Sequence, residues 1–230
     1  FNGPAMILAG PGSGKTSVML SRILNLICRY HVPPENILAV TFSRTAAQEM
    51  HARYSGMAAK LKGVPELNTG HSPSFGTFHS VFFHILNLSS PRQYRLIPEK
   101  QKIEFLRKQL SDMCPDDEGN TELIRDAAGY ISRFKNTGSP KEDNPIFDEV
   151  LHSYESYLNS LGMIDFDDMI LKCHELLSKD RKLLNKWQDR FRYLLVDEFQ
   201  DINLLQYKTI ALLAGERANL FAVGDDDQSI

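Results

Sequence analysis

Short apolar runs, each closed by a polar or glycine-rich cluster, recur along the chain at residues 5–9, 37–42, 193–196 and 220–223. An uninterrupted apolar run bounded by turn residues predicts a strand buried on both faces, as in a parallel sheet. Helical periodicity separates the first two runs. Residues 18–30 place apolar side chains at 19, 20, 23, 24, 26 and 27, and His31-Val32-Pro33-Pro34 stops that helix. Ser43 or Thr45 is expected to cap the next helix, with Ala46, Ala47, Met50 and Tyr54 facing inward. Strand alternating with helix predicts an α/β domain on a parallel sheet.

The pattern then changes. Residues 62–73 hold Gly63, Pro65, Gly70 and Pro73 without periodicity and read as a loop. Residues 74–77 predict a short strand, and residues 78–88 a helix with Phe78, Phe82 and Phe83 on one face. From Ser89 to Lys186 the periodicity is helical, at 98–110, 122–134 and 146–161, apart from an extended stretch at 94–97. Asp165-Phe166-Asp167-Asp168 resembles a capped start for a further helix running to about Leu177. Tyr154 and Tyr157 are read as core. Strands return at 193–196 and 220–223, with a helix at 204–213 between them. The parse is an α/β domain interrupted by an inserted all-helical subdomain, with boundaries at 1–88, 89–188 and 189–230.

Composition adds limits. At 42% hydrophobic and 24% charged residues, the chain is ordinary for a globular protein, and no apolar run reaches the ~20 residues of a membrane span. No secretory leader is expected, because the first strand leads directly into a glycine loop, and the location expected is cytoplasmic. Cys28, Cys114 and Cys173 are odd in number and far apart, which points away from a disulfide framework. His79 and His84, five apart and without a cysteine, do not make a zinc site. Net charge is −3, but residues 1–110 carry 13 Lys and Arg against 5 Asp and Glu, whereas residues 111–230 carry 13 against 24. That asymmetry points weakly to an anionic partner along the first half, or to charges scattered over solvated faces. Phe1 stands directly before a strand and Ile230 in a loop after one, so a piece of a longer polypeptide is expected.

The polar clusters carry the chemistry. Ala9-Gly10-Pro11-Gly12-Ser13-Gly14-Lys15-Thr16, between a strand and a helix, fits a phosphate-binding loop with Ala9 at its first glycine position. Its backbone N–H groups and helix N-terminus suit phosphate, with Lys15 reaching the β- and γ-phosphates and Thr16 placed to ligate Mg²⁺. Asp197-Glu198 follows an apolar strand. In partnership with such a loop, Asp197 is expected to support Mg²⁺ and Glu198 to polarise the attacking water. Gln228 can donate to a phosphate oxygen and accept from water, whereas the acidic run at 225–227 reads equally as a solvated turn.

In order, AGPGSGKT, VTFSRTAAQEM, GTFHS, DFDDMI, LLVDEFQDINLLQY and VGDDDQSI closely resemble the motifs of UvrD/Rep-type superfamily 1A DNA helicases along the whole chain. The resemblance implies a RecA-like ATPase domain (1A) interrupted by a helical subdomain (1B). It implies ATP and Mg²⁺ as cofactors and 3′→5′ translocation on single-stranded DNA. It assigns single-stranded DNA contact to the segments holding Phe42, Arg44, Thr77, Phe78 and His79. Phe42 and Phe78 offer faces for bases, or are core; Arg44 and His79 can meet phosphates. The family often has Arg where Ser17 stands and Lys where Thr45 stands. It also implies a second RecA-like domain with arginine fingers (2A) and a second helical subdomain (2B), so this portion alone is expected to bind nucleotide weakly, hydrolyse it slowly and not unwind DNA. A nucleotide-gated binding module without motor activity, and the helicase part of a helicase–nuclease, remain alternatives.

Overall fold

The computed structural model describes residues 2–10, 12–115, 120–139 and 144–225. The chain forms two compact units: residues 1–82 with 174–230, and residues 83–173.

The first unit is built on a five-stranded, all-parallel sheet. Its strands are β1 (Ala5–Leu8), β2 (Ile37–Thr41), β3 (Ser74–Thr77), β6 (Tyr193–Val196) and β7 (Leu220–Gly224), in the order β1-β7-β6-β2-β3. Helices α1 (Lys15–Tyr30) and α2 (Arg44–Ala58) cover one face. There Met19, Leu20, Ile23, Leu26 and Ile27 of α1 and Met50 and Tyr54 of α2 pack on Ile37, Ala39, Leu195 and Val223 of the sheet. Helix α9 (Leu204–Ala214) packs against β6, and α8 (Arg181–Arg190) packs against α9. Ser43 caps α2 by accepting from the N–H of Ala46, which decides between the two candidate caps.

Two expectations are corrected in this unit. The first strand is not buried: Met6 and Leu8 are 53% and 55% exposed. The cause is the strand order, which leaves β1 at an edge and bonded to β7 alone. Met6 is in register with Ala222, so it shares the face opposite α1, where none of the described helices covers it. Helix α8 is an addition to the elements expected from sequence. Its sparse apolar set, Leu184 and Trp187 buried among charges, hides a ten-residue helix.

The second unit holds α4 (Glu99–Met113), α5 (Thr121–Thr137) and α6 (Pro145–Leu161) around a core of Leu106, Leu110, Ile124, Ile131, Val150, Tyr154 and Leu158. Asn120 and Asn144 cap α5 and α6 through N–H groups of their first turns. The extended stretch is strand β4 (Arg95–Leu96), and it pairs in parallel with β5 (Met163–Ile164), a second addition to the expected elements. The chain passes between units within α3 (Phe78–Ser89) and α7 (Asp168–Lys179). At the head of α7, Asp165 and Asp168 cap each other: each backbone N–H donates to the other's carboxylate, at 3.1 and 2.9 Å.

These two aspartates belong to a buried ionic cluster. Lys135 of α5, 4% exposed, places its ammonium 3.0 Å from Asp165, 3.1 Å from Asp168 and 2.7 Å from Glu155 of α6. Lys102 of α4 adds a second ammonium 3.5 Å from Asp165, and both lysines lie over the buried ring of Tyr154. Burial works against charge on Asp165, yet the two lysines hold its carboxyl below the usual range. Burial and the neighbouring Asp165 charge push Asp168 up to about 6.

Candidate active site

The register of the sheet brings the polar clusters to one edge. Leu8 pairs with Gly224, Val196 pairs with both Ala222 and Val40, and Thr41 pairs with Thr77. The segments that follow β1, β7, β6, β2 and β3 therefore all leave the sheet at its carboxyl edge, where ligands of open α/β sheets bind. The end of β1 is fastened to β7 by the N–H of Ala9, which donates to the Gly224 carbonyl at 3.0 Å.

The glycine loop turns on two left-handed residues, Gly12 at φ 72° and Gly14 at φ 86°. Neither site is crowded, so the need for glycine is conformational. Gly14 caps α1, and Lys15 and Thr16 are its first residues. The first-turn N–H groups of α1 lie at its partially positive end, which favours a phosphate.

Lys15 lies among carboxylates. Its Nζ is 3.2 Å from Glu198 Oε2 and 3.6 Å from Asp225 Oδ2. Burial acts against its charge, but these two carboxylates outweigh that and raise its pKa. Asp197 is buried at 6% exposure; its N–H donates to the Val40 carbonyl, and its Oδ1 accepts from the Glu198 N–H. Burial, followed by the charge of Glu198, raises its carboxyl pKa despite Lys15. Glu198 itself adopts φ 50°, a left-handed backbone that costs a non-glycine residue ~1–2 kcal/mol.

The donor set suits a hard divalent cation. The Thr16 hydroxyl and the Asp197 carboxylate offer oxygen donors, the kind such a cation takes. Among the described residues no group of three or more His, Cys, Asp or Glu is arranged to hold a metal.

The second and third clusters divide their residues. Phe42 is 49% exposed and Arg44 is exposed, whereas Phe78 is 1% exposed and belongs to the core. Phe78 stacks edge-on against Phe42 at 6.3 Å and also contacts Phe82. The core reading therefore holds for Phe78, and Phe42 keeps an exposed ring. Thr77 is buried and caps α3: its hydroxyl accepts from the Ser80 N–H, and Ser80 Oγ donates to the Thr77 carbonyl. A side-chain carbon on Gly76 would lie 2.9 Å from Ser80 and Val81, so glycine is needed there for close packing. His79 is half-buried. Pro11 and Gln228 lie outside the described residues.

Two further residues join the candidate site. Arg53 of α2 donates from Nη2 to the Ser17 hydroxyl at 2.7 Å, so α2 brings a guanidinium to the position where the family often has Arg. Gln200 joins Glu198 to the end of β7. The Arg53–Ser17 and Gln200–Asp225 bonds span 36 and 25 positions, which no local pattern reports.

Comparison with known proteins accords with this geometry. The family model described as "UvrD/REP helicase N-terminal domain" matches residues 1–230. The chain belongs to the UvrD/Rep helicase family. It is 38% identical over 243 residues to the putative ATP-dependent DNA helicase YjcD of Bacillus subtilis (strain 168), covering 99% of this chain and 31% of that protein. It is 34% identical over 244 residues to the ATP-dependent DNA helicase Rep of Escherichia coli (strain K12), covering 99% and 34%. DNA helicase II of the same strain is 32% identical over 234 residues, covering 98% and 32%. The chain thus spans about a third of the length of these curated relatives. In UvrD/Rep terms, the parallel-sheet unit carries a RecA-like helicase fold. No helix among the described residues is long and apolar enough to cross a membrane.

Proposed function

We propose that this chain is the ATP-binding and single-stranded-DNA-binding N-terminal portion of a cytoplasmic, ATP-dependent 3′→5′ DNA helicase. The parallel-sheet unit plays the part of 1A and the helical unit that of 1B, with 2A and 2B completing the motor in the same polypeptide. The observation that carries the reading is the meeting of Lys15 with Glu198 and Asp225 at the sheet edge from which Phe42 and Arg44 also emerge.

On this reading the loop from Ala9 to Thr16 cradles the phosphates, and Lys15 exchanges its carboxylate partners for phosphate oxygens. Thr16 and Asp197 would hold Mg²⁺, which supplies neutralisation of phosphate charge. Glu198 polarises the attacking water, and Gln228 senses the γ-phosphate. Phe42 offers its exposed ring to a base, with Phe78 bracing it from the core. Arg44 and His79 meet backbone phosphates, while Thr77 fixes the turn that presents His79.

Lys15→Ala tests the nucleotide part. Removing a charged donor to phosphate is worth ~1.5–3 kcal/mol, so affinity for a fluorescent ATP analogue is expected to fall about 10- to 100-fold. Unchanged affinity removes the basis of the phosphate-loop assignment. Phe42→Ala tests the DNA part. Loss of one stacking platform is expected to weaken oligo-dT binding by ~1–3 kcal/mol in a fluorescence titration, with ATP-analogue binding retained. In the complete polypeptide, oligo-dT must stimulate ATP hydrolysis strongly; a rate indifferent to DNA favours a nucleotide-gated module without motor activity.

A further inference from the structure

Gln200 lies just beyond the acidic pair, in a short 3₁₀ turn over Phe199–Asp201. Its amide is used at both ends. Oε1 accepts from the backbone N–H of Asp225 at 2.9 Å, and Nε2 donates to Glu198 Oε2 at 2.8 Å. The first bond fixes the second: with the carbonyl turned to a backbone donor, the NH₂ must face the carboxylate. The fit at the β7 end is close, since a side-chain carbon on Gly224 would stand 3.0 Å from Oε1.

The position of this amide matters because of what surrounds Glu198. Its Oε2 is shared between Lys15, at 3.2 Å, and Gln200. A phosphate arriving on the glycine loop draws Lys15 away. Gln200 is neutral and is no phosphate counter-ion, so it stays. The geometry points to Gln200 as a positioning residue that keeps the Glu198 carboxylate aimed when nucleotide takes Lys15, and that ties this aim to the backbone at the end of β7. Through that tie, displacement of the β7 terminus reaches the water-polarising group by a single side chain. The inference rests on the proposed role of Glu198.

The test compares Gln200→Met, Gln200→Glu and Glu198→Gln in the complete polypeptide, measuring kcat for ATP and Kd for a non-hydrolysable ATP analogue. Gln200→Met keeps the length and loses both hydrogen bonds. It is expected to lower kcat about 10- to 100-fold, the range typical of residues that orient a functional ligand, with Kd changed by less than about twofold. Gln200→Glu keeps an acceptor for the Asp225 N–H but sets a second carboxylate beside Glu198. It lacks the donor that holds Glu198 Oε2, and it is expected to lower kcat as far as Gln200→Met does. A Gln200→Met rate within about twofold of wild type, beside an inactive Glu198→Gln enzyme, overturns the inference. So does a wild-type kcat in Gln200→Glu, or a parallel loss of affinity and rate in Gln200→Met. An unchanged rate in Glu198→Gln overturns the water-polarising reading instead, and the role of Gln200 with it.

Discussion

Glu198→Gln is expected to abolish most DNA-stimulated ATP hydrolysis by the complete polypeptide while leaving nucleotide bound. The lost step is proton abstraction or orientation of the attacking water, which is worth about 10²- to 10⁴-fold. The substitution is well suited to separating chemistry from structure. Lys15 and Gln200 both bond the same oxygen of Glu198, and an amide carbonyl can accept from both. The strained backbone at φ 50° and the cap from Asp197 Oδ1 do not involve the side chain and persist. Steady-state hydrolysis with saturating oligo-dT, paired with ATP-analogue titration, measures the two effects separately. A wild-type rate would show that Glu198 does not act on water.

Lys135→Met is expected to destabilise the helical unit by about 3–5 kcal/mol, the cost of leaving buried carboxylates without their cation. Lys135 is the ammonium closest to Asp168 and Asp165 and also anchors Glu155. Lys102 reaches Asp165 at 3.5 Å and cannot replace it at all three. The loss should depend on pH, and its sign follows from burial. Without Lys135, the folded-state pKa values of both aspartates rise: Asp168 goes further above its unfolded value, and Asp165 loses the cation that helps hold it below its own. Protonation then favours the fold, so the deficit shrinks as pH falls. Wild type already shows the tendency at Asp168, raised from 3.8 to about 6: its contribution to stability declines as pH climbs through that window. Urea denaturation of wild type and variant at about pH 5.5 and pH 8 measures both effects. Equal stability of the two chains at pH 8 would show that the cluster is solvated rather than buried.

The sequence makes legible whatever rests on local geometry. A strand that runs into Asp197-Glu198, or into a glycine loop and Lys15, places its next residues at the carboxyl edge whatever the rest of the chain does. Interactions that tie distant segments are not legible. Phe42 and Phe78 follow strands in similar motifs, and only the packing of α3 decides that one ring is exposed and the other buried. The acidic partners of Lys135 come from two separate stretches, Glu155 in α6 and Asp165 and Asp168 at the head of α7, so a single lysine in α5 gives no local sign of them. The exposure of the first strand escapes a local pattern because burial depends on neighbours: β7 flanks β1 on one side and none of the described strands flanks it on the other. Strand β5 spans two residues, too short for an alternating pattern to register.

Before fuel arrives in the proposed cycle, Lys15 is already held by Glu198 and Asp225. Two internal anions stand in for phosphate, so capture is an exchange of counter-ions rather than the filling of an empty electropositive hole. Exchange tempers affinity, because each bond the ammonium makes to phosphate replaces one it already had. It also favours emptying: when cleaved phosphate departs, the carboxylates reclaim the ammonium and no bare charge is left behind. In the proposed motor, which must discharge product at every step, a lysine with waiting partners would ease that release.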